Sequence, residues 1–195
     1  MEIFWLFFIM ETTSLVHGEI ISNQICISDK NMIHELDQKG YGEIEKEKLF
    51  LKDFETLYLL YTKQLILKKS KKNINFDSYM SICQKTNSEI LTKFLIYRDL
   101  RNRGYVVKEG FGFGSDFRVY ERGHFGEKGA KFLIFGLNEG QQEKIGNLQK
   151  KIEDITQMGK EPIIAVIERR GEVIYYKINK MNFYENKSRL ESTSF

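Results

Sequence analysis

The hydrophobic period of the chain changes at Gly104, and this switch constrains the fold more than any other feature. Ahead of it, Ile90, Phe94, Tyr97 and Leu100 recur near helical spacing. They predict a helix running to about residue 102, capped by Asn87 or Ser88 and stopped by Gly104. Beyond Gly104 the apolar residues come in short runs divided by turn residues. Strands are predicted at 105–108, 116–121, 131–136, 163–168 and 172–178, with one helix over 143–158. Arg169-Arg170-Gly171 reads as a hairpin turn between the last two strands. Helix, three strands, helix, two strands is an α/β (α+β) unit, a central mixed sheet flanked by helices.

Residues 1–86 form a smaller mixed α/β N-terminal domain in this reading, and residues 87–195 the C-terminal one. Alternation over 20–28 predicts a strand, 29–37 a helical turn, and Lys39-Gly40-Tyr41-Gly42 a tight turn. Phe54, Leu57, Tyr58, Tyr61 and Leu65 predict a helix over 52–67. Residues 68–73 are a polar, basic break. A second helix is predicted over 75–85, with Asp77 near its start to favour the dipole. Met1–Met10 is almost wholly apolar, but Glu2 is acidic and no Lys or Arg precedes the run. It also falls short of the roughly 20 residues that cross a bilayer, so a buried strand is predicted and no membrane partner. The polar tail after Phe183 predicts a frayed end.

Composition excludes several classes. Hydrophobic residues make up 42% and charged residues 29%, enough for a real core. Three His and two Cys exclude a Cys-rich zinc site and a disulfide scaffold. Cys26 and Cys83 read as reduced core thiols of a cytoplasmic protein. The formal net charge is only +3, but it is unevenly spread. Residues 1–87 hold 11 Lys+Arg against 12 Asp+Glu, whereas residues 88–195 hold 19 against 15. Between Lys93 and Arg122 seven basic residues face four acidic ones, amid Tyr and Phe. That pattern is compatible with phosphate binding or with an ordinary solvated helix face.

Two ordered segments carry a resemblance. Tyr97-Arg98-Asp99-Leu100-Arg101-Asn102-Arg103-Gly104-Tyr105-Val106-Val107-Lys108 leads into Gly114-Ser115-Asp116-Phe117-Arg118-Val119-Tyr120. Together they resemble the archaeal tRNA-intron splicing endonuclease family. The likeness extends to Ile163-Ile164-Ala165-Val166 and Gly171–Tyr176, and back to Gly40-Tyr41-Gly42 and residues 55–60. The resemblance implies RNA cleavage without metal or cofactor. The ribose 2′-hydroxyl attacks its own phosphate, leaving a 2′,3′-cyclic phosphate and a 5′-hydroxyl. Such a step needs a base, an acid and a cation on the developing charge. In the family these are a Tyr, a His and a Lys.

Carried over position by position, Tyr120 matches the family's Tyr, and Lys160, five residues before Ala165, matches its Lys. The His position, just before the strand Lys131-Phe132-Leu133-Ile134, is held by Gly129. His124, four residues after Tyr120, is the candidate for a displaced acid. Arg118 and Arg122 are candidate RNA contacts. Glu153 and Asp154 stand where some members carry a base-clamping Arg, and Tyr175 lies near the other clamp position. The resemblance further implies an oligomer, with Glu139 and Glu143 on an acidic docking loop and Ile174 and Tyr176 on the last strand at a subunit interface.

The implied function is therefore a subunit of a tRNA-splicing endonuclease acting on precursor tRNA with a bulge-helix-bulge. Loss of the His favours a structural subunit paired with a homologous catalytic one, as a heterotetramer. A catalytic chain using His124 and a non-enzymatic RNA-binding or assembly module stay open. A metal-dependent nuclease gathering Asp116 with Glu121 or Glu127 is the remaining alternative.

Overall fold

The computed structural model describes residues 15–179, apart from Lys71 and Phe113. The apolar run Met1–Met10 and the tail after Phe183 lie outside the described residues. Two mixed sheets and five helices make up the rest.

The N-terminal sheet has six strands in the order β3-β4-β2-β1-β5-β6. β1 (Val16–Ile21) and β2 (Gln24–Ile27) are a hairpin, where the alternation had suggested one strand. Alternation reads straight through a two-residue turn. Ser22 and Asn23, with φ of 49° and 64°, supply the left-handed pair that such a turn needs. α1 (Lys30–Gln38) starts where Asp29 Oδ1 accepts the Met32 N–H at 3.0 Å. β3 (Glu43–Glu45) and β4 (Lys48–Leu51) form a second hairpin that carries no Gly or Asn in its turn and gave no sequence signal.

The helix predicted over 52–67 ends early. α2 spans Asp53–Tyr61, Lys63 turns the chain at φ 58°, and the Gln64 N–H donates to Leu59 O at 2.8 Å. β5 (Leu65–Lys69) then pairs parallel with β1. Leu65 fits a helical face by spacing, but it fills the sheet core. β6 (Lys72–Ile74) lies within the basic break and closes the sheet. α3 (Phe76–Gln84) forms as predicted, with Asn75 Oδ1 accepting the Ser78 N–H at 2.9 Å.

The C-terminal part follows the predicted order closely. α4 (Ile90–Asn102) leads to β7 (Val106–Glu109), β8 (Phe117–Tyr120), β9 (Phe132–Asn138), α5 (Ile145–Gln157), β10 (Glu161–Ile167) and β11 (Val173–Lys177). Gly104 sits at φ +82°, the stop read from sequence. The five strands run β11-β10-β9-β8-β7; β9 and β10 are parallel, joined through α5, and the other pairs are antiparallel. α4 covers one face. α5 covers the other, where Ile155 packs with Leu133 and Phe135.

One apolar core runs from the first sheet through α2 and α4 into the second. Phe54 of α2 meets Tyr97 of α4 at 4.9 Å between ring centroids and Phe117 of β8 at 5.1 Å. Aromatic pairs of this kind add about 0.5–1.5 kcal/mol each beyond their buried area. Tyr58 also donates its hydroxyl to Asn102 Oδ1 at 3.1 Å. Cys26 and Cys83 are both buried free thiols.

Candidate active site

Strand alternation sets the site. Phe117 and Val119 of β8 are buried in the α4 core, so Arg118 and Tyr120 project to the α5 face. Val119 pairs with Phe132, and Phe132 with Glu161. One step outward, the Lys131 N–H donates to Val119 O at 2.9 Å and the Glu161 N–H to Lys131 O at 2.9 Å. Tyr120, Lys131 and Lys160 therefore share one end of the sheet, on three successive strands, each about 5 Å from the next. Gly129 lies at the same end: a Cβ placed on it would stand 3.3 Å from Lys160 Nζ. The structure thus brings together the Tyr, the Lys and the position where the resemblance expects a His.

Lys131 is a cation that sequence reading missed. No local signal places it opposite Tyr120; the pairing of Val119 with Phe132 does. Its ammonium forms a close ion pair with Glu121. That bond holds the exposed Glu121 carboxyl below its usual range and raises the Lys131 ammonium.

His124 occupies the connecting loop. Its N–H donates to Glu121 O at 3.1 Å, and its carbonyl accepts from Glu127 and Lys128 at 3.2 and 3.0 Å. Nδ1 is buried with no hydrogen-bond partner among the described residues, and Glu121 Oε2 lies 3.9 Å from it. Phe125, the next residue, anchors the loop and was also missed. Its ring meets Tyr120 edge-on at 5.0 Å. It also packs on the N-terminal turn, where a Cβ on Gly40 would come 3.3 Å from the ring and 2.3 Å from Val106 Cγ1. A glycine allows that approach, and its φ of +76° suits one.

The other candidates are dispersed. The Arg118 guanidinium stacks 5.1 Å from the Phe111 ring and that of exposed Arg122 4.9 Å from Tyr105. Tyr175 is not with Tyr120. It faces α4, donates its hydroxyl to Asp99 Oδ2 at 2.8 Å, and carries Arg103 over its ring at 5.8 Å. Burial and the Asp99 bond push its phenol well up, so it stays neutral. Glu139 accepts the Arg169 N–H at 3.2 Å, and Glu143 pairs with Lys151 at 3.4 Å. Ile174 and Tyr176 are exposed on the edge strand β11, at 37% and 51%.

The carboxylates of the metal alternative do not converge. Asp116 precedes β8, accepts the Gly136 N–H at 2.8 Å and pairs with Lys93 at 3.3 Å. Glu121 follows the far end of the strand, about 16 Å away at 3.3 Å per residue. Among the described residues no group of three or more His, Cys, Asp or Glu is placed to hold a metal. No helix among them is long and apolar enough to cross a membrane.

Comparison with known proteins fits this geometry. Residues 16–80 match the tRNA intron endonuclease N-terminal domain, and residues 90–175 match the tRNA intron endonuclease catalytic C-terminal domain. The chain is 33% identical over 165 residues to a tRNA-splicing endonuclease of Methanococcus vannielii, covering 84% of this chain and 93% of that one. It is 30% identical over 147 residues to the tRNA-splicing endonuclease of Pyrococcus horikoshii, covering 75% and 85%.

Proposed function

Because the chain belongs to the tRNA intron endonuclease family, we propose that it is the structural subunit of a hetero-oligomeric tRNA-splicing endonuclease. The assembly cleaves precursor tRNA at a bulge-helix-bulge by 2′-hydroxyl attack, and a homologous catalytic chain completes it in the cytoplasm. The observation that carries this reading is the bare position at Gly129. Lys160 faces it, and Gly129 has no side chain to serve as the acid that the family's His supplies to the leaving 5′-oxygen. General acid catalysis contributes about 10²–10⁴-fold, so its loss is enough to silence a site.

The test is a cleavage assay on bulge-helix-bulge RNA with the pure chain and with the chain co-expressed with homologous chains of the same genome. The pure chain is expected to be inactive. The active assembly is expected to tolerate Tyr120→Phe and Lys160→Ala in this chain with less than about tenfold loss. A thousand-fold drop from either substitution would overturn the structural role.

A second reading makes this chain catalytic, with His124 as a displaced acid. It is favoured by the Phe125–Tyr120 contact, which ties the residue beside His124 to the ring of Tyr120. Efficient cleavage by the pure chain, abolished by His124→Ala, would establish it over the first.

A further inference from the structure

The pair Phe111–Arg118 has no part in the acid, base or cation roles. Phe111 lies in the β7–β8 connection and is 44% exposed, a large aromatic ring left in water. Arg118 stacks on it at 5.1 Å. The Arg118 Nε is buried with no hydrogen-bond partner among the described residues, and no carboxylate pairs with its charge there. The carboxylates nearby are already occupied: Glu109 by Lys52 at 2.8 Å, Asp116 by Lys93, and Glu143 by Lys151. Arg118 and Tyr120 are alternate residues of β8 on one face, about 7 Å apart.

We propose that Phe111 and Arg118 form a stacking platform for an unpaired nucleobase of the bound RNA. An exposed aromatic ring backed by an uncompensated guanidinium suits a base on two counts. The ring offers a π-face to any base, and the cation attracts the adjoining phosphate. The ligand is a nucleotide outside the helix, because a paired base has both faces covered by its neighbours. This inference rests on the RNA reading above and adds to it where the unpaired base goes.

The test uses the full chain, in the assembly it forms, with a bulge-helix-bulge RNA carrying 2-aminopurine at one unpaired position. Binding is expected to change 2-aminopurine fluorescence. Phe111→Ala is expected to abolish that change and weaken binding about 5–100-fold, the loss of one stacked base. Phe111→Trp should retain both. An RNA abasic at that position should bind wild type and Phe111→Ala equally. A protein that prefers the bulged RNA over plain duplex, yet shows no dependence on Phe111, overturns the platform and leaves the endonuclease reading standing. Equal Phe111→Ala losses on intact and abasic RNA also overturn it, because the ring would then only be packing its loop. Failure of wild type to prefer bulged RNA over duplex overturns both.

Discussion

At the scale of single residues, the site turns on what Gly129 lacks. Gly129 is not in the left-handed region, and among the described residues the atom near a built Cβ is the end of the Lys160 side chain, which can move aside. A larger residue therefore fits without backbone strain. Gly129→His is expected to raise cleavage of bulge-helix-bulge RNA by the pure chain about 10²–10⁴-fold if Tyr120 and Lys160 remain competent. Single-turnover cleavage measures this. The melting temperature should hardly move, which separates restored chemistry from altered folding. His124 is bound into its turn by three backbone hydrogen bonds, so bringing it to the Gly129 position would require unmaking them.

At the scale of elements, two features decide how the site is supported and what it meets. The Lys39–Gly42 turn meets β7 and the Phe125 loop closely at Gly40. Gly40→Ala adds a Cβ into Val106 at a positive φ and is expected to cost about 1–3 kcal/mol, read by urea denaturation. Retained cleavage by the assembly at the wild-type rate would show that the turn does not position Tyr120. The second feature is β11. It is an edge strand with exposed Ile174 and Tyr176, and such an edge invites pairing. Ile174→Lys with Tyr176→Lys is expected to lower the assembly's mass by light scattering while leaving the monomer folded. An unchanged mass would move the interface elsewhere.

At the scale of the whole molecule, the two sheets are tied together by a buried polar network as well as the shared core. Glu55 of α2 is 1% exposed. It accepts the Gly42 N–H at 3.1 and 3.2 Å and the Lys52 N–H at 2.9 Å. Lys108 of β7 reaches across to donate to Gly42 O, and Arg101 of α4 donates to Lys39 O at 3.0 Å while lying 4.0 Å over the Tyr41 ring. Glu55→Ala should cost about 1–3 kcal/mol for each of the two N–H groups, of Gly42 and Lys52, that it leaves without an acceptor. Burial raises the Glu55 carboxyl despite its donors, and lowers the Lys108 ammonium. A raised carboxyl keeps its proton in the fold after the unfolded chain has lost it. Stability therefore falls as pH rises from the ordinary carboxylate range through the raised value. Lys108 acts oppositely: stability rises as pH climbs from its lowered value to the ordinary 10.5. Glu55→Gln should remove the acid-side slope; an unchanged slope from pH 4 to 7 would show that other groups set it.

The sequence by itself determined the C-terminal sheet and its flanking helices, because helix stops, turns and strand periods are local signals; Tyr120 and Lys160 were singled out only by the resemblance of two ordered segments to the family. The missed elements are local failures of the same kind. The hairpin turns at Ser22-Asn23 and Lys46-Glu47 do not break the pattern around them, and Leu65 suits a helix and a strand equally. Only the tertiary structure decided which distant residues meet. Strand register put Lys131 in line with Tyr120 and Lys160, turned Tyr175 to the opposite face, and set Asp116 apart from Glu121. Close packing brought Gly40 against Phe125 and Lys160 against Gly129. Those placements depend on pairings between strands far apart in the chain, and nothing in a run of neighbouring residues encodes the partner's register.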